Sequence, residues 1–292
     1  MPPVDISFVI PCYNEEQAID LVLDEIVAVM RPLGLAYEII VVDDGSTDST
    51  AALCQRRPDV ILERHHHNMG TGAARSTGVR RAQGEFVIMT DADGTYPAEA
   101  IPELIRELQN ADMVIGARRR EAGTVRWLRS PAKWFIRMLA SYMTRTRIPD
   151  LNSGLRGIRR ALIPRFFHIL PNSHSWVSTI TIAFLSCGYR VRWIPIEYHP
   201  RIGRSTFHPI RDTYNYLTLV VRTITYFNPL RVFLPVSLLL LAIGMGKAIS
   251  DVFRYNWHFP ASTVMLVLAG VQVGALGVLA DLIAKMANRE QG

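Results

Sequence analysis

The sequence predicts an α/β domain with a mainly parallel sheet, followed by interfacial helices and a C-terminal transmembrane helix hairpin. Two observations predict it. In the N-terminal two thirds of the chain, short apolar runs alternate with helical patterns, which indicates βαβ units. Near the C-terminus, two runs are almost free of charge and close to the roughly 20 apolar residues that a spanning helix needs. We expect the α/β domain over 1–208, a juxtamembrane interfacial helix over 209–228 and the two membrane helices within 229–292.

Strands and helices alternate through the first part of the chain. The apolar runs that predict strands are ISFVIPCYN, YEIIVVDDGS, VILERH, EFVIMTDAD and DMVIGAR. Helical patterns predict helices over about 15–30, from about 48, over about 71–83 and over 97–109. Ligands of parallel sheets bind beyond the carboxyl ends of the strands. Polar side chains stand at those ends, so we expect one crevice lined by Asn14, Asp43, Asp44, Asp91 and Asp93.

The stretch TDADGTYP, residues 90–97, places two carboxylates one residue apart at the end of a strand. Two like charges at that distance repel unless a cation lies between them or one takes up a proton. In strand geometry Asp91 and Asp93 point to the same face. They could therefore hold one Mg²⁺ or Mn²⁺, with water and a diphosphate as the other ligands. An Asp-Gly turn is the alternative, but it does not explain Asp91.

Other polar residues at strand ends have less specific patterns. Asp43 and Asp44 point to opposite sides of the chain, so at least one can accept hydrogen bonds from a base or ribose. Asp48 is typical of a helix N-cap. The glycines of NMGTGAARSTG open a helix, and an exposed helix N-terminus favours an anion. Three consecutive histidines at 65–67 cannot all face one ion, so we expect a solvated loop there.

The two uncharged C-terminal runs predict membrane helices over about 230–253 and 259–284. The alternative for the first run is a buried core helix, because Lys247 interrupts it. Basic residues flank both ends, which predicts a multi-pass protein of the inner (cytoplasmic) membrane with the α/β domain in the cytoplasm. These residues are Arg222, Arg231, Lys285 and Arg289. Small residues on the second helix could pack against another copy in a homo-oligomer, namely Gly270, Gly274 and Gly277.

Within 117–148, the stretch RSPAKWFIRMLASYMTRTR predicts a helix lying in the membrane interface, because one stripe is apolar and basic residues surround it. A core-facing amphipathic helix is an equal alternative for this segment alone. The stripe is Trp134, Phe135, Met138, Leu139, Tyr142 and Met143. The formal charge of +6 suits an anionic partner. We do not expect nucleic acid, since the basic residues lie beside the lipid-facing segments and are not interleaved with stacking aromatics on a sheet.

Five motifs together carry a family resemblance. PCYNEE, VDDGSTDST, NMGTGAARSTG, TDADGTYP and DLNSGLRGIRR, in order and over about residues 5–206, resemble the polyprenyl-phosphate (dolichol-phosphate mannose synthase-like) branch of glycosyltransferase family 2. The resemblance implies a GT-A (Rossmann-like) fold, inverting transfer of a sugar from a nucleotide-sugar to a lipid phosphate, and Mg²⁺ or Mn²⁺ at Asp91 and Asp93. The nucleotide-sugar pocket would comprise Pro11, Tyr13, Glu15, Asp43, Asp44, Gly72, Arg75, Asp91, Ala92 and Asp93.

The acceptor side of the predicted site is basic. A phosphate monoester has a second pKa near about 6 and is mostly ionised at pH 7, so it needs no strong general base. Arginines can hold it by bidentate contacts. Asp150 would act as a residual base or, as we favour, orient an arginine such as Arg118; with Asp91 and Asp93 these two complete the catalytic set. The candidates for the acceptor phosphate are Arg118, Arg129, Lys133, Ser153, Arg156, Arg201 and Ser205.

The sequence departs from the family pattern at two positions, and there are two alternatives to the predicted function. Thr95 stands where relatives often have a glutamine near the metal, and Thr206 replaces the lysine that ends the basic signature beginning at Arg201. The alternatives are a transferase acting on a saccharide hydroxyl or polysaccharide chain, and a catalytically silent nucleotide-binding membrane scaffold. Analogy favours a UDP-sugar, with GDP-mannose open.

Overall fold

The structure is a computed structural model that describes residues 4–119, 138, 141–142, 144–173, 175–202, 225–255 and 259–289. The chain divides into two compact units, Met1–Val220 and Val221–Gly292. The family resemblance implies an acceptor loop within 117–148, ahead of the predicted interfacial helix. Most of that segment lies outside the described residues, as do the boundary at 208 and most of 209–228.

Seven strands of the described chain form one sheet in the first unit, in the order β3-β2-β1-β4-β6-β5-β7. Only β6 runs antiparallel to its neighbours, so the prediction of a mainly parallel sheet is confirmed. The last two strands were not predicted from the sequence. The strands are β1 (Ile6–Cys12), β2 (Tyr37–Asp43), β3 (Val60–Arg64), β4 (Phe86–Met89), β5 (Met113–Arg118), β6 (Arg156–Arg159) and β7 (Val191–Ile196).

The helices of the first unit are α1 (Ile19–Met30), α2 (Thr50–Gln55), α3 (Thr71–Arg81), α4 (Ile101–Leu108) and α5 (Trp176–Ser186). Helix α1 begins four residues after the predicted start at 15. The backbone N–H groups of Glu15 and Glu16 instead donate to Thr50 Oγ1 (2.9 Å) and Asp48 Oδ2 (3.2 Å). The loop after β1 is thereby tied to the loop after β2, and both loops border the crevice described below.

The hydrophobic core of the first unit surrounds β1, a strand that is buried on both faces. All seven residues of β1 are buried, which explains its nearly continuous apolar sequence. Helix α3 packs closely on this strand because Gly78 has no side chain: a Cβ there would lie 2.3 Å from Val9 Cγ1. This close approach holds α3 against β1 and β2.

The second unit contains two long helices, α6 (Leu230–Tyr255) and α7 (Ala261–Arg289). Each has a mean hydropathy of 2.1 over its most apolar window and is long enough to cross a membrane. Only 11% and 17% of those windows are buried, whereas the core helix of a soluble protein would be mostly buried. The described residues therefore favour membrane association over the buried-helix alternative.

The small residues of α7 pack inside the hairpin. A Cβ on Gly270, Gly274 or Gly277 would lie 2.8 Å from Leu241 Cγ, 2.8 Å from Ser237 Oγ or 2.6 Å from Phe233 Cβ. Ser237 Oγ also donates to the Gly270 carbonyl at 2.7 Å. The prediction that these three glycines offer a surface to another copy was wrong, because α6 already covers them. Homo-oligomerisation itself stays a prediction.

Candidate active site

A cavity of about 590 Å³ opens at the carboxyl ends of β1, β2 and β4, where the sequence predicts the crevice. Three of the predicted nucleotide-sugar residues, Asp43, Gly72 and Arg75, do not line it. The lining residues are Pro11, Cys12, Tyr13, Asn14, Glu15, Asp44, Asn68, Gly70, Thr71, Asp91, Ala92, Asp93, Ser173 and Arg201. The cavity is rich in carboxylates and has one arginine at its edge.

Asp93 is held by the turn that follows it. Its Oδ1 accepts hydrogen bonds from the backbone N–H (3.2 Å) and the hydroxyl (2.6 Å) of Thr95. Gly94 has φ +71°, a left-handed conformation that favours glycine. Burial, and after it the neighbouring Asp91 charge, raises the pKa of Asp93. Thr95 is fully buried, so the residue that replaces the family's glutamine orients Asp93 and leaves Oδ2 toward the cavity.

Asp91 is held from the interior. The guanidinium of Arg75, which is buried, donates from Nη2 to Asp91 Oδ1 at 2.6 Å. The backbone of Gly154 lies against the other carboxylate oxygen, because a Cβ there would be 2.5 Å from Asp91 Oδ2. The Asp91 side chain remains 31% exposed. Arg75 thus reaches the site as a counter-ion of Asp91, behind the cavity wall.

The two aspartates fit a divalent cation that is bound partly by its substrate. Each has one oxygen engaged by protein donors and a carboxylate that reaches the cavity. Among the described residues, no group of three or more His, Cys, Asp or Glu could hold a metal alone. Mg²⁺ is commonly held by one or two carboxylates together with water and substrate phosphates. Asp91 and Asp93 match that ligand set.

Asp44 is engaged by its surroundings. Its Oδ1 accepts from His65 Nδ1 (2.7 Å) and the Met69 N–H (2.9 Å), and its Oδ2 accepts from the Gly70 N–H (2.8 Å). His65 is half-buried, and its Nε2 lies 3.0 Å from Thr77 Oγ1 on α3. The expectation of a solvated loop was therefore wrong for His65, although it agrees with the exposed residues 66 and 67.

Asp43 lies below the cavity. It is fully buried, and its Oδ1 accepts the backbone N–H of Ser46 at 3.0 Å. Arg64 Nε is 3.1 Å from Oδ2, but out of line for a hydrogen bond, so that oxygen is buried without a hydrogen-bond partner. The predicted contact of Asp43 with a nucleotide stays a prediction.

The N-terminus of α3 is covered, contrary to the prediction of an anion site there. The N–H groups of Gly72 and Ala73 donate to the carbonyl of Asn172 at 2.8 and 3.2 Å. A Cβ on Gly72 would lie 2.2 Å from the carbonyl oxygen of Pro171, so the glycine serves this close contact. Because these donors are occupied, Gly72 is not available to bind a diphosphate in this structure.

Arg118 and Asp150 form a bidentate ion pair beyond β5. Arg118 Nε and Nη2 donate to the two Asp150 oxygens at 2.6 and 2.9 Å. Burial would raise the pKa of Asp150, but the hydrogen bonds and charge of Arg118 outweigh it and lower the pKa below the ordinary value. This contact suits the role in which Asp150 orients Arg118 better than the role of a base.

Two predicted acceptor residues are interior. Arg156 is fully buried, and it donates to the Val177 carbonyl (2.8 Å), to Thr181 Oγ1 (2.9 Å) and to the Ser153 carbonyl. Burial, with the nearby Arg75 charge, lowers the pKa of Arg156 to about 9. Ser153 is also fully buried. Neither offers a surface to a lipid phosphate, so we correct both assignments to structural roles. Arg129, Lys133 and Ser205 lie outside the described residues.

Sequence reasoning missed several residues that shape the site. His65 gave no signal beyond its place among three histidines. Gly154 belongs to the DLNSG motif, which was noted but not placed beside Asp91. Ser173 lines the cavity from a segment with no recognisable pattern. A strand-end crevice with two aspartates that fit a cation, on a mainly parallel sheet with one antiparallel strand, is the arrangement expected of the GT-A fold of nucleotide-sugar glycosyltransferases.

Comparisons with known proteins give the family. The model of glycosyl transferase family 2 matches residues 7–167, more than half of the chain, and that of the GtrB C-terminal hairpin matches residues 228–286. The chain belongs to glycosyl transferase family 2, which confirms the resemblance. The predicted enzyme class, a glycosyltransferase, is confirmed with it.

Relatives match nearly the whole chain. The undecaprenyl-phosphate 4-deoxy-4-formamido-L-arabinose transferase of Edwardsiella ictaluri is 26% identical over 97% of this chain and 90% of that protein. The protein of the same name from Pseudomonas paraeruginosa is 29% identical over 97% and 86%. Glucosyl-3-phosphoglycerate synthase of Mycobacterium tuberculosis, crystallised with Mn²⁺, UDP and phosphoglyceric acid, has a TM-score of 0.57 at 20% identity and covers 76% of this chain and 77% of its own. That likeness confirms the fold.

Proposed function

We propose that this glycosyltransferase moves a sugar from a nucleotide-sugar to a polyprenyl phosphate at the cytoplasmic face of the inner membrane, with Mg²⁺ or Mn²⁺ and with inversion. The observation that carries the proposal is the pair of cavity-facing aspartates after β4, in a chain that also has two membrane-length helices. The relatives named as undecaprenyl-phosphate sugar transferases support the lipid acceptor.

The donor side uses the cavity. Tyr13, Glu15 and Ala92 line it together with the two aspartates, and its volume of about 590 Å³ suits a nucleotide-sized ligand. Asp91 and Asp93 would hold the divalent cation. The cation, when bound, supplies Lewis-acid stabilisation of the charge that develops on the departing nucleoside diphosphate. A UDP-sugar is the donor class we favour, because structural neighbours were crystallised with UDP or UDP-glucose.

The acceptor side uses the basic residues near β5. Arg118, held by Asp150, presents a guanidinium of fixed orientation, which suits a phosphate. Arg129, Lys133 and Ser205 stay predictions for the same ligand, and so does Arg201, which lines the donor cavity. In the reaction, a phosphate oxygen of the lipid forms a bond to the anomeric carbon as the bond from that carbon to the diphosphate oxygen breaks. The products are a lipid-linked phosphosugar and the nucleoside diphosphate.

A transfer assay tests this function. The full-length protein in detergent is incubated with undecaprenyl phosphate, Mn²⁺ or Mg²⁺, and radiolabelled UDP- and GDP-sugars in turn, each with and without EDTA. We expect label in the lipid phase from one donor, and none with EDTA. Metal-dependent hydrolysis of a donor without a lipid product would reject the polyprenyl acceptor and favour a saccharide acceptor. Nucleotide binding without hydrolysis or transfer would favour the silent scaffold.

A further inference from the structure

Arg201 bridges two of the cavity carboxylates. Its Nη2 pairs with Glu15 Oε1, and its Nε lies 3.6 Å from Asp93 Oδ2. The Arg201 side chain is 34% exposed, whereas those of Glu15 and Asp93 are 11% exposed each. The guanidinium therefore covers both acids from the solvent side.

The three groups are placed by backbone contacts. The Ile202 N–H donates to the Asp93 carbonyl at 3.1 Å, and the His199 N–H donates to the Thr95 carbonyl at 3.0 Å. The segment that carries Arg201 is thus attached to the Asp-x-Asp turn. Glu15 is attached independently, because its N–H donates to Thr50 Oγ1 at the start of α2, directly after the loop that follows β2. Arg201 joins two loops that come from different strands.

The position of Arg201 conflicts with that of a bound cation. Thr95 occupies Asp93 Oδ1, so Oδ2 is the oxygen of Asp93 that can ligate a metal. Arg201 Nε lies beside that same oxygen. A guanidinium and a divalent cation on one carboxylate oxygen repel each other strongly in a partly buried site. Glu15, which pairs with Nη2 of the same guanidinium, offers Arg201 a carboxylate that the metal does not need.

We propose that Arg201 is a positioning residue that competes with the divalent cation for Asp93, and that Glu15 holds its guanidinium when the cation binds. This inference rests on the proposed metal site. A nucleoside diphosphate gives Arg201 another partner, because its negatively charged oxygens can accept two hydrogen bonds from the guanidinium. Metal and nucleotide then bind cooperatively: Arg201 weakens the metal site alone and strengthens the site that contains both.

Mn²⁺ binding, followed by the electron paramagnetic resonance signal of free Mn²⁺, tests the competition without any turnover. Wild type, Arg201→Gln and Glu15→Gln are titrated without nucleotide, then with UDP and, separately, with GDP. Without nucleotide we expect Arg201→Gln to bind Mn²⁺ about tenfold more tightly, since a neighbouring positive charge is removed. Glu15→Gln should bind Mn²⁺ a few fold more weakly, since Asp93 then becomes the one cavity carboxylate of the pair that still attracts Arg201. The gain in Mn²⁺ affinity on adding nucleotide should be largest in wild type.

Two further variants control for folding and charge. Arg192→Gln removes an arginine whose ion pair with Glu107 lies on the surface, and it should bind Mn²⁺ like wild type. Arg201→Lys keeps the positive charge and should also stay close to wild type. Thermal unfolding first checks that wild type and Arg201→Gln are both folded. Equal Mn²⁺ affinities in the two folded proteins would then overturn the competition while leaving the metal site intact. No Mn²⁺ binding by wild type, with or without nucleotide, would overturn the metal site and this inference together.

Discussion

One pair of carboxylates lies at the end of β2 and another at the end of β4, but the two pairs differ in the groups that surround them. After β2, both oxygens of Asp44 accept hydrogen bonds, and Asp43 is fully buried. After β4, Asp91 and Asp93 each keep a carboxylate oxygen that no described hydrogen bond occupies. The difference lies in the donors: backbone N–H groups of a long loop surround Asp44, whereas one arginine and one threonine hold the second pair. Asp43 Oδ2 also lacks a hydrogen-bond partner, but Asp43 does not line the cavity, whereas Asp91 and Asp93 do and are left for chemistry.

Removing a β4 acid should have the largest effect on the reaction. We expect Asp93→Ala to lower sugar transfer by about 10³-fold or more, because a ligand of the cation is lost. The protein should stay folded, with a loss of stability limited to the Thr95 N–H and hydroxyl that lose their acceptor, because burial already disfavours the charged form of Asp93. The lipid-linked product and the Tm measure the two effects. Wild-type turnover in this variant would remove the metal assignment.

Removing a β2 acid should act mainly on stability. Asp44→Ala leaves His65 and the N–H groups of Met69 and Gly70 without their acceptor. We expect it to lower the free energy of unfolding by about 2–4 kcal/mol, the scale for breaking a buried, charge-assisted network. Denaturant unfolding of the purified protein measures the change. A loss of activity without a loss of stability would show that Asp44 belongs with the β4 acids.

A substitution at Gly154, beside Asp91, should have a smaller effect and tests whether the position of the Asp91 carboxylate matters for the reaction. The added methyl of Gly154→Ala would lie 2.5 Å from Asp91 Oδ2 and must displace that carboxylate. We expect transfer to fall by about 10- to 100-fold, the scale for a misplacement of about 1 Å at a reacting centre. Gly246→Ala is the matched control, since a Cβ there meets nothing within 4 Å. Equal activities of the two variants would contradict the placement of Asp91.

The smallest expected effect is on the pH dependence of stability. Burial, only partly offset by Arg201, raises the pKa of Glu15 from 4.5 to about 7. The folded protein thus binds the Glu15 proton more tightly than the unfolded chain does. This contribution to stability is fully present below pH 4.5 and is lost as pH rises through about 7. Glu15→Gln should flatten that part of the Tm profile, while Glu197→Gln, an exposed acid, should keep it. Parallel profiles for wild type and Glu15→Gln would contradict the burial argument.

The strand ends were predictable because buried parallel strands have apolar sequences that end abruptly in polar residues. The polar residues after β1, β2 and β4 could be located that way, and five motifs located the family. β6 could not, because RGIR has two arginines in four residues and becomes a strand only by pairing with β4 and β5. The burial of Arg156 depends on the Val177 carbonyl and the Thr181 hydroxyl of α5, more than twenty residues away. The cover over α3 comes from Asn172, 100 residues along the chain. Such long-range contacts leave no local sequence signal.

The most direct measurement is anomalous diffraction at the manganese edge from crystals of the protein grown with Mn²⁺ and UDP. We expect a manganese peak within ligand distance of Asp91 and Asp93, on the Oδ2 side of Asp93, with the UDP diphosphate beside it. A peak against Asp43 or Asp44, or UDP bound in the cavity without manganese, would contradict it.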